Sequence, residues 1–225
     1  ILNMTMDEKI KLESVEIENE VFYKISNVDA MRPFFMSIVS DSNHWLFISS
    51  NGGLSAGRKN SEYALFPYYT DDKITESAEL TGSKSIFRVH KTNKTFLWEP
   101  FSERMFGLYK VSRHLYKSVY NNKIIFEEIN HDLELCFRYE WNTSDLFGFV
   151  RKSALVNQAK EKLRISILDG IQNIVPYGVG SELQRNVSNL ADAYKRSELQ
   201  KENGIGIFAL SAIIVDKAEP SEALK

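Results

Sequence analysis

Acidic side chains are the first candidates for chemistry in this sequence. Asp71 and Asp72 stand together after a glycine-rich stretch, and Glu99, Glu103, Glu127 and Glu128 are scattered further along. Glycoside cleavage needs two carboxyl groups facing each other across the scissile bond, at a separation that only the folded chain sets. Neighbours in an extended chain point to opposite sides, so Asp71 and Asp72 make no such pair by spacing alone. The four histidines, His44, His90, His114 and His131, show none of the short spacings of a helical zinc motif, and the single cysteine, Cys136, has no ligand partner nearby. A metal site, thiol catalysis and a cofactor are therefore not expected. Histidines in turns read as solvent-exposed, and Cys136, on an alternating strand, reads as a small packed residue.

Binding chemistry is the second possibility. Gly52, Gly53 and Gly57 are followed by neither Gly-Lys-Ser/Thr nor a βαβ pattern, so they read as a hairpin turn with a bulge rather than a phosphate cradle. Arg58, Lys59 and Asn60 have the donors to hold a sugar or an oxyanion, but a solvated turn accounts for them better. Trp45, Trp98 and Trp141, with Tyr68 and Tyr69, could stack on sugar rings; taken singly, each tryptophan reads as core.

The elements that must position these residues read mostly as strands. Apolar runs at 21–25, 34–39, 45–49, 85–89, 96–98, 109–120, 123–128, 133–139, 147–155 and 163–168 are separated by polar turn residues. Leu163, Ile165 and Ile167 alternate with Arg164 and Ser166, and Asp169-Gly170 then reads as a turn. Asn121-Asn122 suits a tight hairpin turn. Helices are expected at Met6–Leu12 and at Ser181–Gln200, where Leu183, Val187, Leu190 and Tyr194 recur at three- and four-residue steps. Ile205 to Val215 reads as a final strand. The stretch 50–72 reads as one long loop, of a length that is more often functional than merely connecting. Successive strands with short turns argue for antiparallel sheets in a sandwich rather than for parallel βαβ units.

Composition narrows the classes. Among 225 residues, 28 basic side chains against 30 acidic ones leave a net charge of −2, which offers no electrostatic footprint for nucleic acid or anionic lipid. One cysteine excludes an internal disulfide framework. No apolar stretch reaches membrane-spanning length, and the first residues lack a basic region leading into an apolar core, so a cytoplasmic protein is expected. The chain starts with Ile1 and trails into charged and small residues after Val215. It reads as one β-sandwich domain over residues 1–225, cut from the N-terminal part of a larger protein.

A resemblance rests on Asn51-Gly52-Gly53-Leu54-Ser55-Ala56-Gly57-Arg58, Leu65-Phe66-Pro67-Tyr68-Tyr69 and Asp71-Asp72, and on Leu168-Asp169-Gly170-Ile171 with Ile174-Val175-Pro176-Tyr177-Gly178. The first three segments resemble the N-terminal region of large inverting glycoside phosphorylases of the cellobiose-phosphorylase-like family 94 group, and the last two resemble a segment of bacterial carbohydrate-active proteins of this kind. The resemblance implies a galactose-mutarotase-like β-supersandwich of two antiparallel sheets with a few short helices. It further implies a C-terminal helical-barrel catalytic domain, a carbohydrate ligand and a possible homodimer. In that group the general acid and phosphate-binding residues belong to the barrel, so no catalytic residue is carried onto this chain. Substrate contact is expected at Asn51, Arg58, Asn60, Tyr68, Tyr69, Asp71 and Asp72. The expected role is a noncatalytic scaffold in a glycoside phosphorylase or hydrolase; a self-contained sugar-binding module and a mutarotase-like epimerase are the alternatives.

Overall fold

The structure is a computed structural model that describes residues 10–67, 71–91, 93–186 and 188–211. In chain order the strands are β1 (Lys11–Ile17), β2 (Glu20–Ser26), β3 (Phe35–Ile38), β4 (His44–Ser49), β5 (Leu54–Arg58), β6 (Gly82–Lys91), β7 (Lys94–Trp98), β8 (Val111–Ser118), β9 (Lys123–Asn130), β10 (Leu135–Ser144), β11 (Gly148–Asn157), β12 (Arg164–Gln172), β13 (Lys195–Gln200) and β14 (Ile205–Leu210). The helices are α1 (Asp71–Ile74), α2 (Ser181–Asn186) and α3 (Ser188–Tyr194), with single 3-10 turns at Val28–Ala30, Ser61–Tyr63, Thr75–Ser77 and Glu103–Met105. The protein is thus mainly β, an antiparallel multi-sheet arrangement with a few short helices.

Hydrogen bonding divides the strands into a six-stranded sheet, β1-β2-β8-β9-β10-β11, two three-stranded sheets, β12-β6-β7 and β3-β4-β5, and the β13-β14 hairpin. One core joins the first three of these sheets. Leu115, Ile124, Phe126, Phe137 and Trp141 of the six-stranded sheet share it with Ile48 and Leu54 of one small sheet and Phe87 and Trp98 of the other. Phe87 meets Phe137 edge to face at 5.1 Å between ring centres, and His44 meets Phe149 in the same way at 5.1 Å. Trp98 and Trp141 are fully buried, each burial contributing about 4 kcal/mol, whereas Trp45 is half-buried beside Phe47.

Four expectations change. Lys11–Ile17 is a strand, not helix; Met6 to Lys9 lie outside the described residues. Its partner β2 follows a two-residue turn in which Glu18 and Asn19 both take positive φ, 51° and 65°, the primed turn that matches strand twist. Second, the 50–72 loop contains β5. Leu54, Ser55, Ala56 and Gly57 are buried on both faces, so the segment carries no period-two signal. Third, Asp169-Gly170 does not turn: both lie inside β12, paired with Ser85 and Lys84 of β6. Fourth, the long C-terminal helix breaks into α2 and α3, and Lys195–Gln200 leaves it to pair with Ile205–Leu210, a non-local gain that the helical periodicity could not weigh. The final strand ends at Leu210, and Ala212 to Val215 lie outside the described residues.

The glycine-rich segment makes a hairpin turn. Gly52, with φ 93°, reverses the chain between β4 and β5, and Gly53 passes so close to the Ile74 carbonyl that a Cβ there would collide with it.

Candidate functional site

The residues nominated from sequence do not converge. Asn51 sits in the β4–β5 turn, where its Oδ1 accepts from Ser49 Oγ and its Nδ2 donates to the Thr75 carbonyl at 2.9 Å. Arg58 closes the other end of that hairpin opposite His44, its Nε donating to Asn43 Oδ1 at 3.2 Å. Asn60 caps the Ser61–Tyr63 turn, accepting from the Glu62 N–H at 3.0 Å. Asp71 and Asp72 open α1, so their backbone is helical rather than extended. Tyr68 and Tyr69 lie outside the described residues.

Two of the motif segments do meet. The Val175 N–H donates to the Leu65 carbonyl at 2.8 Å, and Glu62 accepts from the Ser181 N–H at 3.1 Å and from Ser181 Oγ, capping α2. A hollow of about 340 Å³ lies there, lined by Pro67, Asn173, Val179, Gln184 and Arg185 among others.

Buried acids form the strongest electrostatic features. Glu127 and Glu128 are consecutive in β9, so they face opposite sides of the six-stranded sheet, and each is 2% exposed. Glu128 points into the core, where Trp98 Nε1 donates to it at 2.8 Å, the Phe101 N–H at 2.6 Å and Arg113 Nε at 2.8 Å. These donors offset the several kcal/mol that desolvating a carboxylate costs. They also hold Phe101 at φ 64°, a region unfavourable for an aromatic residue.

Glu127 faces the other side. Tyr116 Oη donates to it at 2.7 Å, Arg138 Nε pairs with it, and Cys136 Sγ approaches at 3.6 Å. Burial acts to raise its pKa, but the Tyr116 and Arg138 contacts outweigh that and hold it below the ordinary carboxylate range. Burial pushes the Cys136 thiol up to about 11 and Tyr116 upward as well. His114 lies directly across from Glu127 in the register, and its Nδ1 accepts the Asn27 N–H at 3.2 Å, so its neutral form carries the proton on Nε2. Burial lowers the His114 pKa against the pull of Glu127. A third acid, Asp169, lies between sheets: Arg151 grips it through both terminal nitrogens at 2.8 and 2.9 Å, and Ser85 and Ser153 donate at 2.5 Å. Burial opposes these bonds and loses, leaving its pKa at about 2.

Beside Glu127 the outer face of the sheet curls into a second hollow of about 300 Å³. Its floor is the outward side of β9, β10 and β11; its roof is the tip of the β1–β2 hairpin. The tip is pinned by Glu20 to Lys123 at 2.5 Å and by Glu18 to Lys152 at 3.7 Å. Val15 and Ile17 pack against Phe22, Tyr116 and Ile125 to seat the arch. Arg138, Glu140 and Asn142 alternate along the floor, and Asn142 Nδ2 donates to Glu140 Oε1 at 2.9 Å.

The sequence nominates none of these three residues, although they continue, at period two, the face of the alternating strand that carries Cys136. Nothing in the sequence pointed to Glu18, whose place over Lys152 depends on the primed turn and on the curl of the whole sheet.

Among the described residues, no group of three or more His, Cys, Asp or Glu side chains is arranged to hold a metal ion, and no helix is long and apolar enough to cross a membrane. No protein-family model matches the chain, and no curated protein matches it significantly.

Proposed function

We propose that this chain is the noncatalytic β-sandwich domain of a carbohydrate-active enzyme of glycoside phosphorylase or glycosyl hydrolase type. In this reading the six-stranded sheet and the two three-stranded sheets form the two layers of a galactose-mutarotase-like supersandwich, which packs against a helical-barrel catalytic domain of the same protein. The observation that carries it is the state of the paired acids, two of them buried in the six-stranded sheet and one at the seam between sheets. Glu127, Glu128 and Asp169 are each saturated by arginine together with hydroxyl, indole or backbone donors. A general acid at neutral pH needs a raised pKa, and a base needs an unshielded carboxylate facing its substrate. Saturated acids serve as struts. The meeting of the Leu65–Pro67 and Ile174–Gly178 segments gives further support, since the resemblance rests partly on them.

The epimerase alternative draws on His114 lying across from Glu127. It is weakened because the lowered pKa of Glu127 makes a poor base, and the Asn27 amide occupies His114 Nδ1. Turnover assays decide the matter. The 225-residue chain is expected to show no phosphorolysis, hydrolysis or anomer interconversion of common mono- and disaccharides, whereas the protein extended by its following reading frame turns over a glycoside. Robust turnover by the 225 residues alone overturns the proposal.

A further inference from the structure

We infer that the hollow beneath the β1–β2 arch is a binding site for a neutral pyranose sugar, an inference that rests on the carbohydrate reading above and names the place where this domain meets its ligand.

The lining supplies what a sugar ring requires. Ile17, Phe22 and Ile125 make an apolar wall suited to the C–H face of a pyranose. Along the floor, donors and acceptors alternate with polar atoms left uncommitted. Arg138 spends Nε on Glu127, and among the described residues its two terminal nitrogens make no hydrogen bond. Asn142 donates to Glu140 Oε1, which leaves Asn142 Oδ1 and Glu140 Oε2 without a hydrogen bond among the described residues. Paired acceptors and a forked donor in one hollow of about 300 Å³ suit adjacent hydroxyl groups, each of which donates and accepts.

Charge decides against an anionic ligand. Glu18 pairs with Lys152, Glu20 with Lys123 and Glu127 with Arg138, so Glu140 is the carboxylate left without a cationic partner among the described residues. A phosphate or carboxylate beside it would meet like-charge repulsion. A neutral polyol meets no such penalty. Occupants smaller than a ring would leave the apolar wall uncovered.

The test is titration of the full 225-residue chain with glucose, galactose, mannose and xylose, followed by amide chemical shifts and calorimetry, with glucuronate and glucose 6-phosphate as anionic counterparts. At least one neutral sugar is expected to saturate while shifting amides of β9, β10 and β11, with the anionic sugars at least tenfold weaker. Glu140→Gln and Asn142→Ala are expected to weaken binding at least tenfold with the circular dichroism spectrum unchanged. Ala154→Trp, which fills the hollow from β11, is expected to abolish it. Saturable sugar binding that maps to the Pro67–Arg185 hollow and ignores all three variants overturns this inference but leaves the carbohydrate reading standing. Preferred binding of the anionic sugars, or no saturable binding of any sugar, also overturns it. In the last case the turnover assays on the extended protein still judge the domain's identity separately.

Discussion

The two faces of the six-stranded sheet solve the same electrostatic problem in different ways. On the inner face Glu128 is enclosed by Trp98, Phe101 and Arg113, and both of its oxygens are taken. On the outer face Glu127 is equally buried, yet its partner Arg138 is 45% exposed and continues into a floor where Glu140 and Asn142 keep free polar atoms. Adjacent residues on one strand therefore belong to a closed network and to an open one. A closed network holds architecture, because every lone pair and proton is spent within the protein. An open one has bonding capacity left for something else.

Breaking the closed side should have the largest effect. Glu128→Ala strands the Arg113 guanidinium and leaves the Trp98 and Phe101 N–H groups without an acceptor. It is expected to cost about 3–5 kcal/mol in urea unfolding. A loss below about 1 kcal/mol would mean that Arg113 finds water and that the inner network is not a strut.

The inter-sheet pair tests an intermediate case. Asp169 has a folded pKa of about 2, depressed from its ordinary value, so its contribution is fully present above the unfolded pKa near 4 and fades as pH falls toward 2. For a partly exposed pair, about 1 kcal/mol of acid-sensitive stability is expected after allowing for solvent screening. Asp169→Asn should lower stability by that amount at pH 7 and flatten the difference from wild type by pH 2. A difference that stays constant across this range would assign the effect to packing instead of charge.

The smallest effect belongs to the open side. Glu140→Gln keeps the shape and the Asn142 contact, so thermal or urea unfolding should move by no more than about 0.5 kcal/mol. A loss of the size expected for Glu128→Ala would erase the distinction between the two faces and make the hollow one more structural network.

Much of the fold was legible from local pattern. Leu135, Phe137, Tyr139 and Trp141 fall on the core side of β10 at period two, as the alternation over its first residues indicated, and the polar turn residues between apolar runs mark most hairpins. The segment β5 was not legible, because burial on both faces removes the alternation that identifies a strand. The end of the last helix was hidden for a different reason. Lys195–Gln200 has acceptable helical spacing, and only the cross-strand bonds to Ile205–Leu210 override it. The candidate site was the least legible part. Loop-like composition drew attention to Asn51, Arg58 and Asn60, but each is occupied in shaping its own turn.

Sequence alone determined that this is an antiparallel β protein with a large aromatic core, since strand periodicity and turn chemistry are properties of neighbouring residues. Tertiary structure decided which acids are sealed and which face an open hollow. Glu18 meets Lys152, 134 positions further along the chain, only because the sheet curls and its edge hairpin folds back over the outer face. No local pattern encodes that curl; it arises from the twist of six paired strands acting together.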